Sequence, residues 1–372
     1  MSSSDSPAGR RFLFVCNALQ GHLNPMLPLA LAARAAGHAV VFATGPDLAE
    51  QARQQGFEAW PVGPTHQRAG GNQQASWLDY FAATAEARAA ELLPLAADWR
   101  PHVVIYEETE LSGPVVAAHT AARAVVHGLG RMPPQRLWPF FTETVSRLGA
   151  RWGLPGAAQA LADAPYLHLC PPSLHSTETP PWGRVLPLRP SSAPPLPGEQ
   201  LPAAFERLPW PRTILLTMGT VFNARPGVLE QALDGLLSLP ANLVVTLGAD
   251  QDPARFGTQP QNVLMTRYVS NALLLPRCDL VVAHGGAGTL FGALAAGLPS
   301  LLLPQGADQF INAEAALASG AALVLEPAAA KAPAIAAAAR RLLDDPSFSV
   351  AARRVQAEIR ALPDATAVLA RL

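Results

Sequence analysis

The sequence reads as an α/β protein of two Rossmann-like domains, each a doubly wound parallel sheet. Three observations lead there. At 372 residues the chain exceeds one ordinary core and suits two domains large enough to bury a core each. Apolar runs of strand length recur in both halves, each followed by a turn and a segment of helical pattern, as when parallel strands are joined by helices. Between the halves, prolines recur every few residues from 171 to 211, which is extended linker chemistry. The expected division is a disordered leader at 1–9, a first domain at 10–170, the linker at 171–211, a second domain at 212–348 and a C-terminal helical segment at 349–372.

In the first half, Phe12 to Cys16 is a continuous apolar strand, followed by a loop from Asn17 to Asn24 and a helix from about Pro25 to Ala36. Ala39 to Ala43 and Phe57 to Val62 are further strands, and His66 to Ser76 is a polar, glycine-bearing loop. Trp77 to Ala97 is helical in pattern. Val103 to Tyr106 is a buried strand that runs into Glu107-Glu108-Thr109-Glu110. Three acids there ordinarily mean a solvated turn, yet they stand at the same sheet edge as the loop that holds His22. Ser112 to Ala121 is a short helix, Ala124 to His127 a strand, and Tyr166 to Leu169 the last strand of this half.

The second half restarts with a strand at Thr213 to Thr217, the turn Met218-Gly219-Thr220 and a helix through about Leu239. Leu243 to Leu247 and Asn262 to Met265 are strands. Then comes the densest signal, from Cys278 to Gly320: a strand at Leu280 to Ala283, the turn His284-Gly285-Gly286-Ala287-Gly288-Thr289, a helix, a strand at Ser300 to Leu303, and Asp308-Gln309 opening another helix. Glycines let backbone approach a ligand, and the amides that start the next helix suit an anion, a diphosphate above all. Ala322 to Leu325 is a last strand before alanine-rich helices separated at Pro346.

Composition narrows the function. A hydrophobic fraction of 49% with 15% charged residues describes a compact globular protein. With 27 basic and 28 acidic residues the net charge is -1, which offers no broad positive field to nucleic acid or anionic lipid and leaves small molecules as the expected partners. Cys16, Cys170 and Cys278 lie in or beside apolar runs and read as buried, reduced thiols of a cytoplasmic protein. The uncharged stretch from Gly285 to Ala307 is broken by glycines and prolines and fits strands and a helix rather than a membrane span. Arg10-Arg11 before an apolar run imitates an export signal, but the run meets Asn17, Gln20 and His22 without a small-residue cleavage site.

The residues His284, Gly285, Gly286, Gly288, Thr289, Gly297, Pro299, Pro304, Asp308, Gln309, Asn312, Ala313, Gly320 and Ala321 together resemble the donor-binding signature of family-1, inverting GT-B glycosyltransferases. Weaker agreement runs across nearly the whole chain and is most like the bacterial enzymes that glycosylate natural products, antibiotics among them. The resemblance implies two Rossmann-like domains facing a central cleft, with a C-terminal helix that crosses back to the first domain. It implies a nucleoside-diphosphate sugar of dTDP or UDP type as co-substrate, a small apolar or aromatic acceptor, and neither cofactor nor metal.

Site roles follow from the same resemblance. Thr220, His284, Gly286, Gly288 and Thr289 would hold the diphosphate, and Asp308 and Gln309 the sugar hydroxyls. Tyr268, followed by Val269, stands where the family often has a tryptophan that stacks on the base, and Gly292 where plant members carry a ribose-binding glutamate. His22, in Gln20-Gly21-His22-Leu23-Asn24-Pro25, would be the general base. The orienting acid falls at Glu107, where the family usually has the shorter aspartate, so Glu108 and Glu110 remain alternatives. The aromatics between Gly128 and Gly156 fall in a segment that the resemblance assigns to the acceptor cleft, although plain packing accounts for them as well.

Rival functions lose ground on missing features. No Gly-x-Gly-x-x-Gly turn with a following acid marks a nicotinamide enzyme, and no Gly-x-Ser-x-Gly marks a serine hydrolase. A GT-B sugar-nucleotide epimerase and a catalytically silent GT-B partner of another glycosyltransferase remain. Intact His22 and Asp308-Gln309 favour the transferase.

Overall fold

A computed structural model describes residues 9–65, 77–175, 184–219, 227–248 and 251–372. Residues 1–8 of the leader expected at 1–9, the loop at 66–76 and Thr220 lie outside the described residues. The chain divides into two compact units, 1–169 with 176–188 and 363–372, and 170–175 with 189–362.

The first unit is built on seven strands, β1 (Arg11–Val15), β2 (Ala39–Thr44), β3 (Glu58–Pro61), β4 (Val103–Glu107), β5 (Arg123–His127), β6 (Tyr166–His168) and β7 (Val185–Pro187). They form one sheet in the order β3-β2-β1-β4-β5-β6-β7, with parallel pairing throughout. Strands β1 and β4 are buried along almost their whole length, as expected when helices cover both faces of a sheet, and so appear as unbroken apolar runs. From β1 the chain winds outward through β2 and β3, then returns to place β4 on the other side of β1. The carboxyl ends of β1 and β4 therefore flank a topological switch point, where open α/β sheets bind ligands.

The second unit repeats the plan with β8 (Thr213–Thr217), β9 (Asn242–Thr246), β10 (Val263–Thr266), β11 (Leu280–Ala283), β12 (Ser300–Leu302) and β13 (Ala322–Val324). Their order is β10-β9-β8-β11-β12-β13, again all parallel. Its switch point lies between β8 and β11, whose following turns carry Gly219 and His284.

Three boundaries differ from expectation. The proline-rich stretch 171–211 is not linker throughout, because Val185–Pro187 pairs with Tyr166–His168 as β7. At a sheet edge the missing N–H of Pro187 costs no ladder bond. The second unit runs to 362, since helix Pro346–Ala361 sets Ala352, Val355 and Ile359 in one cluster with Leu290, Phe291 and Leu294 of helix Ala287–Ala295. Only the last ten residues group with the first unit, where helix Ala365–Leu369 packs on helix Leu27–Ala35. Among the described residues no helix is long and apolar enough to cross a membrane.

The helix Gly113–Thr120 begins against the buried Tyr106 ring, and a methyl group on Gly113 would overlap that ring. Gly113→Ala is therefore expected to destabilise the protein by about 1–3 kcal/mol, read as a lower urea midpoint at unchanged slope.

Candidate active site

Asn17 to Asn24, expected as a loop, is in part helical: Gln20–Leu23 forms a turn of helix that continues into a 3-10 turn at Asn24–Met26 and then helix Leu27–Ala35. His22 is thus fixed on a helical turn just past β1, with 15% of its side chain exposed. Its Nδ1 lies 2.9 Å from Oε1 of Glu107, the last residue of β4. Alternation along the strand explains why the three acids part company. Glu107 faces His22, whereas Glu108 accepts from the hydroxyl of Tyr166 on β6. Beyond the turn, Glu110 pairs with the fully buried Arg88 at 2.7 Å and accepts from the backbone of Gly113.

Glu107 is itself fully buried. Burial alone would raise its pKa, but attraction to His22, with bonds from His22 and Thr109, outweighs that and holds the carboxyl down at about 2. Asn17 Nδ2 donates to Oε1 at 2.7 Å and Thr109 N to Oε2 at 2.7 Å. With Nδ1 of His22 turned to an anionic acceptor, the proton of a neutral imidazole belongs on Nδ1, which leaves Nε2 as the basic atom. Phe81 lies 6.0 Å from His22 between ring centroids, with Trp77 6.1 Å beyond it. Of the aromatics between 128 and 156, Phe141 belongs to the core of the first unit, and Trp138, Phe140 and Trp152 pack against it.

In the second unit the imidazole of His284 lies between two glycines, and a Cβ on either Gly219 or Gly286 would collide with it. Burial pushes the His284 pKa down to about 4, the backbone of Thr217 offsetting part of the shift. At neutral pH His284 is therefore uncharged, a hydrogen-bonding group rather than a cation. Helix Ala287–Ala295 starts at Gly286 with no side-chain cap, and Gly288 is exposed with open space beside it. Its first amides are left for another acceptor.

Asp308 stands at the N-cap of helix Gln309–Ala318, yet its side chain makes no capping bond; Oδ2 accepts from Asn312 Nδ2 at 2.7 Å. The same Nδ2 lies 3.1 Å from the carbonyl of Gly285, so Asn312 ties the glycine turn to the Asp308 loop. Gln309 is only 2% exposed, and its Oε1 accepts from the amides of Gln305 and Gly306. That bracing holds a turn in which Ala307 adopts φ +54°, a strained value for a residue with a Cβ. Tyr268 is 44% exposed, whereas the Val269 side chain is buried and leaves only its backbone for a ligand. A side chain at Gly292 would meet Leu275 and Ser192, each 3.0 Å from its Cβ.

Comparison with known proteins gives the family. Residues 230–372 match the family model of the erythromycin biosynthesis protein CIII-like C-terminal domain. The chain is 31% identical to the elloramycin glycosyltransferase ElmGT of Streptomyces olivaceus over 97% of its own length and 96% of the relative's. The chain belongs to the GT-B antibiotic glycosyltransferases. Solved structures agree: the glycosyltransferase VinC in complex with dTDP superposes with a TM-score of 0.81 at 27% identity, covering 97% of this chain and 98% of that one. The spinosyn rhamnosyltransferase SpnG complexed with spinosyn aglycone gives 0.82 at 27%, over 97% and 99%.

For this glycosyltransferase, sequence reasoning missed Asn17 and Thr109, which bond Glu107, and Thr84 and Arg88, which reach Asn17. The available signal was Asn17 itself, an amide placed directly after an apolar strand, where burial forces it to find partners. His127 was missed as well. It ends β5 in register with Glu107, is fully buried, and is pushed down to about 4 by desolvation, with opposing effects from Gly128 and Glu107.

His127, fully buried, and His284 together fix an acid limit. A folded-state pKa near 4 against 6.5 for the free group means that the unfolded chain binds more protons between those values. Stability is thus fully present above pH 6.5 and falls until pH 4, by up to about 3 kcal/mol for His127; the Glu107 contribution follows between pH 4.5 and 2. His127→Phe should flatten the fall of the melting temperature between pH 6.5 and 4.

Proposed function

We propose that the enzyme transfers a sugar, with inversion, from a thymidine-diphosphate sugar to a hydroxyl group of a small apolar or aromatic natural-product aglycone. The observation that carries this reading is the His22–Glu107 contact of 2.9 Å at the β1/β4 switch point. Nε2 of His22 takes the acceptor's hydroxyl proton as its oxygen bonds to the anomeric carbon. The bond from that carbon to the diphosphate breaks, and the diphosphate leaves with the electron pair. Glu107 keeps His22 in the productive tautomer and stabilises the imidazolium.

On the donor side, Gly286, Gly288 and Thr289 would offer groups to a diphosphate at the start of helix Ala287–Ala295, where amides and dipole favour an anion; Thr220, assigned to the same role by resemblance, lies outside the described residues. His284, uncharged at neutral pH, would add a neutral hydrogen bond there. Asp308 would accept from sugar hydroxyls, Gln309 would act through its amide nitrogen, Tyr268 would stack on the base and Val269 would present its backbone. The dTDP bound by VinC and the aglycone bound by SpnG support the choice of substrate classes. Three buried free cysteines fit work in the cytoplasm.

The deciding experiment follows acceptor-dependent release of thymidine diphosphate. His22→Ala should slow the chemical step by about two to four orders of magnitude with nucleotide affinity kept. Glu107→Gln should slow it about ten- to a hundredfold, because both Glu107 oxygens accept bonds and an amide turns a donor against one of the donors facing it. Full single-turnover rates in His22→Ala would overturn the base assignment, and release of nucleotide without any acceptor would point to the epimerase. Activity should also survive a chelator, since the diphosphate is met by amides and His284; loss of turnover on chelation, restored by magnesium or manganese, would contradict that site.

A further inference from the structure

Arg88 is fully buried on helix Trp77–Trp99. Its Nη1 donates to Glu110 Oε1 at 2.7 Å and lies 3.3 Å from Asn17 Oδ1. Among the described residues its Nε and Nη2 have no hydrogen-bond partner. An ion pair taken so completely out of water is a poor source of fold stability compared with apolar side chains of the same volume. What it does accomplish is visible at Asn17.

An asparagine amide has a polar direction. Here the oxygen faces Arg88 and the Thr84 hydroxyl, at 3.3 and 3.2 Å, so Nδ2 faces Glu107 Oε1 at 2.7 Å. Turned over, the amide would set its NH2 against a guanidinium and its oxygen against a carboxylate, and both contacts would repel. Glu110 cancels the charge of Arg88. The guanidinium can therefore orient Asn17 without adding net positive charge beside Glu107, which would weaken its attraction for His22.

We propose that Arg88 and Asn17 are positioning residues of this glycosyltransferase: Arg88 fixes the direction of the Asn17 amide, and Asn17 holds the Glu107 carboxylate against Nδ1 of His22. Thr109 contributes a second brace, its backbone N–H on Glu107 Oε2 and its hydroxyl 3.4 Å from His22 Nδ1. The proposal rests on the reading of His22 as the base, and its consequence is a single tautomer, with the proton on Nδ1.

The test reads that tautomer in the full-length protein from long-range 1H–15N correlations of the imidazole, assigned through His22→Gln. Wild type should show one neutral tautomer, protonated at Nδ1. Asn17→Ala should convert it to a mixture or to the Nε2-protonated form, with the melting transition cooperative and thymidine diphosphate affinity within about twofold of wild type. Arg88→Met should do the same and Arg88→Lys should restore part of the signal. If Arg88 acts through Asn17, the double variant Asn17→Ala/Arg88→Met adds nothing to the single ones.

An unchanged tautomer in Asn17→Ala overturns the proposal, and so does a double variant whose effects simply add. Should Arg88→Met fail to fold, Asn17→Ala and Arg88→Lys still decide, because each keeps a cation opposite Glu110. A tautomer that changes as expected while His22→Ala retains full turnover removes the base role and leaves the positioning of His22 by Asn17 standing. Lost turnover in His22→Ala with an unmoved tautomer in Asn17→Ala does the reverse.

Discussion

A carboxylate removed from water must recover in hydrogen bonds and opposite charge what it loses in hydration, and Glu107 sets that requirement for the whole corner of the first unit. Asn17, Thr109 and His22 supply the donors. They come from the end of β1, the turn after β4 and a helical turn, which only the β1/β4 switch point brings together. The helix Trp77–Trp99 serves the same corner with one face: Phe81 lies near His22, Thr84 and Arg88 reach Asn17. Removing water from this site strengthens the hold of Glu107 on His22 and makes every missing partner costly.

The second unit solves the opposite problem. The anion site proposed for it has no buried charged side chain among the described residues; its buried polar residues include Gln309 and Asn312, and His284 is uncharged. What remains is backbone. Glycines at 219 and 286 make room for the His284 ring, and the uncapped start of helix Ala287–Ala295 presents its amides. Asn312 then fixes the distance from that turn to Asp308 by bonding both. A neutral, preorganised turn of this kind suits the proposed diphosphate, which it would meet through dipoles that need no rearrangement.

The family membership and the two parallel sheets were legible in the sequence because the signals are local. A strand covered on both faces shows itself as an unbroken apolar run, and a glycine-rich turn between strand and helix keeps its spacing whatever surrounds it. The seventh strand was hidden in prolines, since an edge strand of three residues carries little pattern and Pro187 argues against it until the pairing is seen. Gln309 was read as a sugar ligand from its place in the motif. Its amide oxygen turned out to brace Gln305 and Gly306, a local bond that motif spacing does not encode.

The sequence by itself determined the fold class, the transferase family and the residue types on which the proposed chemistry rests: His22, an acid from the 107–110 turn, and the His284 to Thr289 turn. The resemblance favoured Glu107 and left Glu108 and Glu110 open; only the tertiary structure shows which of them meets His22. Glu107, Glu108 and Glu110 stand within four residues, but the pleat of β4 and the turn after it send them to His22, Tyr166 and Arg88. Those partners lie tens of residues away in sequence, and sequence spacing carries no information about a contact made by strand order.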